Sequence, residues 1–380
     1  MEFDFVVIGA GSAGCAVANR LSANPEHRVA LLEAGPASHF MSRVPISFAS
    51  LIDEPSANWC YRSEPEEATN GRRIPVPRGR LLGGSSSING MVYVRGQQLD
   101  FDTWAQLGNR GWSYADVLPI FKRMEDYGGG DELRGQDGPL RVRIVDDQNP
   151  LYEALLNAGS ELGLPDNPDY NGAEQEGIVR TQATISNGRR QSAAYAYLDP
   201  IRGRKNLTIF TEAEVQCLIL DKGACTGVAV RIKGQNHTLK ATREVIVSAG
   251  AINSPKVLEL SGIGRREVLD AHGIELAHEL PGVGESLRDH IGPRMVFGIK
   301  RPDASFSAQG HSFGLIGQIL RYAFTRRGLL SLPTAPILGF VRTRPELASP
   351  DVQYHFVPYR VVLKDGKRGM GKNPAITVTV

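Results

Sequence analysis

Apolar residues first gather at positions 3–8, where Phe3, Phe5, Val6, Val7 and Ile8 form a nearly unbroken run, and again at 28–33 around Val29, Ala30, Leu31 and Leu32. Short apolar runs bounded by turn residues read as strands. Between them, residues 9–14 carry three glycines and residues 15–23 have a helical pattern, so the opening predicts strand, tight turn, helix and strand, a βαβ unit. Farther along, a strand is expected at 206–209. Short β-branched runs at 215–220, 227–233, 237–241 and 244–248 then predict an antiparallel meander returning to the main sheet. A capped helix is expected at 112–118, another at 150–162, and a third starting at Ser254-Pro255 and stopped by Gly262 and Gly264. Beyond Pro293 come a helical stretch at 316–324 and strand-like runs at 352–357 and 375–380, read as a second, substrate-facing region. The Pro-, Arg- and Gly-rich segment 65–80 reads as an extended loop that leads into the glycine and serine cluster 83–87, and residues 128–131 read as a turn. The expected fold is mixed α/β: a Rossmann-like βαβ domain with an antiparallel meander, plus a partial substrate domain containing an antiparallel sheet.

Composition narrows the function. A chain of 380 residues is long enough for a sizeable core in two or three domains or one large one. With 43 basic and 41 acidic side chains the formal charge is +2, which supplies no broad field for nucleic acid, and no nucleic-acid partner is expected. Met1 runs directly into the first strand without room for a signal peptide, and no apolar stretch reaches the ~18 residues of a spanning helix. A cytoplasmic protein is therefore expected, with peripheral contact at the inner membrane face left open. Cys15, Cys60, Cys217 and Cys225 lack zinc or redox spacing, fit a reducing compartment as small apolar residues, and suggest no metal site.

The glycine turn carries the first chemistry. Gly9-Ala10-Gly11-Ser12-Ala13-Gly14 has dinucleotide-binding spacing: one glycine turns the chain, one admits a pyrophosphate, and one packs helix against strand. The helix amino terminus offers unpaired amides and a positive dipole end to phosphate. Glu33, closing the second strand, can accept hydrogen bonds from ribose hydroxyls and would repel the phosphate of an NADP ribose. These features do not separate FAD from NAD, since both present the same adenosine and pyrophosphate.

Two longer segments make that separation through resemblance. Gly79-Arg80-Leu81-Leu82-Gly83-Gly84-Ser85-Ser86-Ser87-Ile88-Asn89-Gly90-Met91 is similar to the first signature of the glucose-methanol-choline (GMC) oxidoreductases, and the stretch from Gly250-Ala251-Ile252-Asn253-Ser254-Pro255 to Gly264 resembles the second. Supporting pieces are Leu32-Glu33-Ala34-Gly35-Pro36, Gly111-Trp112-Ser113-Tyr114, and Pro281-Gly282-Val283-Gly284 followed by Asp289-His290. The resemblance covers essentially the whole chain. It implies extended FAD held by Gly9, Gly11, Ser12, Ala13, Gly14 and Glu33 at the adenosine and pyrophosphate, with Val215 at the adenine. Leu81, Gly83, Gly84, Ser85, Asn89, Gly90, Met91 and Val92 would lie toward the flavin. Some family members attach FAD through a histidine in the first signature; Ile88 stands at the aligned position, so the FAD is expected to be noncovalent. The resemblance divides the chain into an FAD-binding domain (1–145 and 187–292) and a partial substrate domain (146–186 and 293–380).

The expected activity is oxidation of the CH–OH group of a choline-like or aliphatic alcohol by hydride transfer to flavin, with oxygen, a quinone or another carrier as electron acceptor. In the family a histidine, paired with a second histidine or an asparagine, handles the hydroxyl proton near the carboxyl end. No segment up to Val380 resembles that one, so no catalytic residue is assigned and the chain is read as a fragment or truncated product. Two other functions compete: a noncatalytic flavin-binding remnant, and an NAD-linked dehydrogenase, which would require both long matches to be accidental. His355 is read as structural more readily than as cavity-lining; Asp289-His290, by itself a capping pair in a surface turn, is through the resemblance read as cofactor-side support. The segment at 189–192 resembles a family segment, although solvated loop arginines would look identical. Arg321, Arg326 and Arg327 are read as solvent-facing.

Overall fold

A computed structural model describes residues 1–307, 309–364 and 367–380. The chain divides into two compact units: the first comprises Met1–Ser42, Leu51–Asn89 and Ser192–His290, the second Arg43–Ser50, Gly90–Gln191 and Ile291–Val380. Residues 90–145 fall in the second.

The first unit is built on a six-stranded sheet. Its strands are β1 (Glu2–Ile8), β2 (Val29–Leu32), β3 (Leu207–Phe210), β4 (Ala213–Asp221), β5 (Ala224–Ile232) and β6 (Gln235–Val247), in the order β3-β2-β1-β6-β5-β4. β3, β2, β1 and β6 are parallel, whereas β6, β5 and β4 form the expected antiparallel meander. Helix α1 (Ser12–Leu21) makes the crossover from β1 to β2. Val6, Val7, Ala30 and Leu31 are fully buried, as strands covered on both faces require, and each buried Val or Leu contributes about 1.5–3 kcal/mol.

Two boundaries differ from the sequence reading. The runs at 237–241 and 244–248 belong to one strand, β6, whose first half pairs with β5 and whose second half pairs with β1. The polar residues that read as a turn form a bulge: Phe3 pairs with Ala241 and Phe5 with Glu244, while the Thr242 hydroxyl donates to an Asp4 carboxylate oxygen at 2.9 Å. Helix α2 (Gly250–Glu259) begins before Ser254 and carries Pro255 inside it. Gly262, with φ +79°, still ends this region, because a left-handed residue cannot continue the helix.

The second unit holds a five-stranded antiparallel sheet in the spatial order Arg294–Gly298, Ala375–Thr379, Val352–Val357, Ile337–Val341, Gly177–Arg180. Ile337, Leu338, Phe340, Val179 and Tyr170 pack its core. The expected helices appear as Tyr114–Met124, capped by Ser113 accepting from the Asp116 amide, as Pro150–Glu161, capped by Asn149, and as Ser312–Thr325. This unit also encloses charge. Glu125, fully buried, pairs with Arg95 at 2.5 Å and Arg134 at 2.8 Å, and Arg134 pairs with Asp169 at 2.6 Å. Among the described residues no helix is long and apolar enough to cross a membrane.

Candidate functional site

The carboxyl ends of β1, β2 and β6 open onto a cleft of about 640 Å³ in the first unit. Ile8, Gly9, Gly11, Ser12, Ala13 and residues 32–34 line it, together with Trp59, Arg78, Gly79, Gly84, Ser85, residues 213–216, residues 247–254, Lys256, Val257 and Leu260. Its volume lies within the ~300–1,000 Å³ usual for small-molecule sites, and its place at the strand ends is where open α/β sheets bind ligands.

The turn after β1 divides its work among three glycines. Gly9 adopts φ +90° and donates its amide to Leu32 O at 2.8 Å, so the left-handed turn ties β1 to β2. A β-carbon on Gly14 would collide with the carbonyl oxygen of Gly9, so a side chain there would push α1 away from the turn. A β-carbon on Gly11 would meet nothing within 4 Å, so this position faces open cleft. Ser12 and Ala13 are exposed at the start of α1, and Ala249 to Ser254 bring the start of α2 to the same cleft. Two helix amino termini therefore offer unpaired amides and positive dipole ends to one space, as an anionic ligand requires.

Glu33 follows β2, and its main chain continues the sheet, donating to Phe210 O and accepting from Ala213 N, each at 2.8 Å. This pairing places Val215 beside the same cleft. The Glu33 carboxylate is buried, accepting from the Gly35 amide at 2.9 Å and the Ala10 amide at 3.2 Å. Burial pushes its pKa up to about 7; the two amides and the Arg80 charge oppose that rise. Cys15 is inert beneath the turn, its thiol bonded to Ala10 O at 3.1 Å and pushed by burial up to about 12.

The segment from Gly79 packs onto this turn through backbone. Gly83 (φ +90°) donates to Ala10 O at 2.7 Å, and Gly84 (φ +52°) lies against Gly11. Leu81 and Ile88 are buried with Leu51 and Ala57, supporting the segment from behind, and Asn89 donates its amide to Ser85 O at 2.9 Å.

Of the expected site residues, Gly9, Gly11, Ser12, Ala13, Glu33, Gly84, Ser85 and Val215 thus line one cleft, while Gly14, Leu81 and Gly83 build its frame. Gly90, Met91 and Val92 belong to the second unit. There a β-carbon on Gly90 would strike the Thr334 hydroxyl. Met91 is buried at φ +64°, a strained conformation for a side-chain-bearing residue, and its carbonyl accepts from Thr184 N at 2.9 Å. His355 sits within the sheet opposite Leu338 and Thr379, and Asp289 accepts from the His290 amide at 2.9 Å. Arg190 is fully buried, so the reading of that segment as solvated arginines fails for it. Arg321 and Arg327 are exposed, whereas Arg326 is half-buried with its guanidinium over Tyr322.

Sequence reasoning did not single out Trp59, Arg78, Gln216 or Lys256, all of which line the cleft. A lone tryptophan just before a Pro- and Arg-rich loop was the available signal for the first two.

A family model described as GMC oxidoreductase matches residues 3–292. The chain is similar to the oxygen-dependent choline dehydrogenase of Rhizobium rhizogenes, with 44% identity over 371 residues, covering 97% of this chain and 67% of that protein. Its counterpart in Photobacterium profundum is 40% identical over 361 residues, with coverages of 94% and 63%. Among solved structures, pyridoxine 4-oxidase from Mesorbium loti superposes with a TM-score of 0.86 at 31% identity, covering 99% of this chain and 70% of that one. A formate oxidase gives a TM-score of 0.90 at 27% identity, with coverages of 100% and 72%.

Proposed function

This chain belongs to the GMC oxidoreductase family, and on that premise we propose that it holds FAD noncovalently and serves the oxidation of a small alcohol at its CH–OH group. The observation that carries the cofactor reading is the convergence, on one cleft, of the open side of Gly11, the Glu33 carboxylate and the starts of α1 and α2. These groups fit the adenosine diphosphate half of FAD: amides and dipole ends meet the pyrophosphate, and the carboxylate accepts from the ribose hydroxyls. When bound, FAD supplies the hydride acceptor for the alcohol carbon. Ile88 is buried in an apolar cluster and has no nucleophile, which supports noncovalent attachment.

The division of labour read from the sequence belongs to this proposal: FAD with residues 1–145 and 187–292, and substrate with 146–186 and 293–380. The alcohol class follows the choline dehydrogenase relatives, of whose length the chain spans about two thirds. The electron acceptor, oxygen or a quinone, is proposed on the same footing.

The test is anaerobic mixing of the FAD-loaded protein, expressed from its complete reading frame, with choline and with neutral aliphatic and aromatic alcohols, followed by admission of oxygen or a quinone. Bleaching of the flavin band by at least one alcohol, and its recovery with an acceptor, is expected. If every alcohol leaves the band unchanged while dithionite bleaches it, the alcohol assignment fails.

A further inference from the structure

Trp59 lines the cleft but takes no part in the glycine turn or the carboxylate. Its ring stacks on Tyr61, with planes 6° apart and centroids separated by 5.7 Å, and the Arg80 guanidinium lies over it at 4.9 Å. Tyr61 is itself fixed, donating its hydroxyl to the Asn253 side-chain oxygen at 2.7 Å, and Asn253 also lines the cleft. The backbone beneath the indole is equally constrained. Trp59 donates its amide to Arg78 O at 2.9 Å. The buried Asn58 side chain donates to Ile52 O at 2.6 Å and accepts from the amides of Cys60 at 3.0 Å and Arg78 at 2.9 Å. Cys60 is held at φ +55°, a strained conformation that these bonds enforce. A loop so fully braced fixes one aromatic side chain at the wall of a ligand-sized space.

We infer that Trp59 is a nucleotide-contacting residue, a rigid aromatic wall against which the adenine-nucleotide half of the cofactor packs, with Arg80, Tyr61 and Asn253 as the residues that position it. The inference rests on the reading of the cleft as the FAD site and adds to it a recognition element that the glycine turn does not provide. Preorganisation is the physical gain: an indole already fixed loses little side-chain entropy when a ligand packs on it.

The test uses the 380-residue chain freed of flavin, with ADP as the probe. The chain has three tryptophans, and the other two, Trp104 and Trp112, are about half exposed, so Trp104→Phe with Trp112→Phe leaves Trp59 as the sole indole. ADP is expected to change the Trp59 emission saturably, at the dissociation constant found by calorimetry, and to shield it from acrylamide. Trp59→Ala is expected to weaken ADP binding roughly 5- to 10-fold, the range of a lost aromatic contact, while Trp59→Phe restores most of it. Tyr61→Leu, which removes the brace and leaves Trp59, should weaken binding less than Trp59→Ala. ADP binding with unchanged Trp59 emission and unchanged acrylamide access overturns this inference alone. Absence of any ADP binding by calorimetry overturns the reading of the cleft, and this inference with it.

Discussion

Gly84 stands directly against Gly11: a β-carbon on Gly84 would lie 2.8 Å from the α-carbon of Gly11. The two glycine segments, more than 70 positions apart in the sequence, therefore meet with no side chain between them. Gly84→Ala should cost about 1–3 kcal/mol by overpacking, with added strain at φ +52°, and should lower flavin content because the displaced neighbour is the glycine turn proposed to hold the pyrophosphate. Denaturant unfolding and flavin absorbance per protein measure the two effects, and unchanged values of both would contradict the packing described.

Gly11 and Gly14 should separate binding from folding. At Gly11 a side chain enters open cleft, so Gly11→Val is expected to leave the unfolding midpoint of the flavin-free chain nearly unchanged and to abolish FAD binding. At Gly14 the new β-carbon collides with the Gly9 carbonyl, so Gly14→Ala should destabilise the flavin-free chain itself. Normal flavin content in Gly11→Val would show that the phosphate lies elsewhere.

Much of this arrangement was legible in the sequence because it is local. The turn at residues 9–14, the acid at 33 and the signature from Gly79 each carry their spacing within a few residues, and the structure brings Gly9, Gly11, Glu33, Gly84 and Ser85 to one cleft. What was hidden depends on distant partners. Thr242 and Arg243 have the polarity of a turn, and only the pairing of Phe3 and Phe5 with β6 makes them a bulge. Arg190 and the Arg95, Glu125 and Arg134 cluster have the composition of surface, and their burial depends on segments far along the chain. Trp59 carries no motif; its place at the cleft follows from a stack and a loop that only the fold assembles.

The Glu33 carboxyl gives the flavin-free chain a pH dependence. Its folded pKa of about 7 exceeds the ordinary value of 4.5, so the folded state binds this proton more tightly than the unfolded state does. That stabilisation is full below about 4.5 and is lost as the pH rises through about 7, a change of about 3 kcal/mol at most. Glu33→Gln should remove this component, visible as the difference between the two proteins in urea titrations across the window. With the ribose placed on Glu33 as proposed, its hydroxyls favour the charged carboxylate, so ADP affinity of the unmodified chain should rise over the same interval.

Glu125 holds the buried charges of the second unit together. Glu125→Gln leaves Arg95 and Arg134 without their shared carboxylate in a dry environment and should cost about 3–5 kcal/mol. Chemical denaturation followed by far-ultraviolet circular dichroism would register it; a loss below about 1 kcal/mol, the scale of an exposed pair, would mean that water reaches the cluster.

Strand β6 imposes an order of events on synthesis. Ile8 pairs with Leu32 early in the chain but with Val247 only after more than 200 further residues. At translation speeds of about 5–20 residues per second, the nascent glycine turn waits on the order of 10–50 s with one side of its central strand uncovered. The cleft proposed for the adenine nucleotide is therefore complete only after the meander has been made. Stalled chains ending before residue 235 should be cut readily within the first 40 residues by a protease, and chains ending after the close of α2 at Glu259 should resist it.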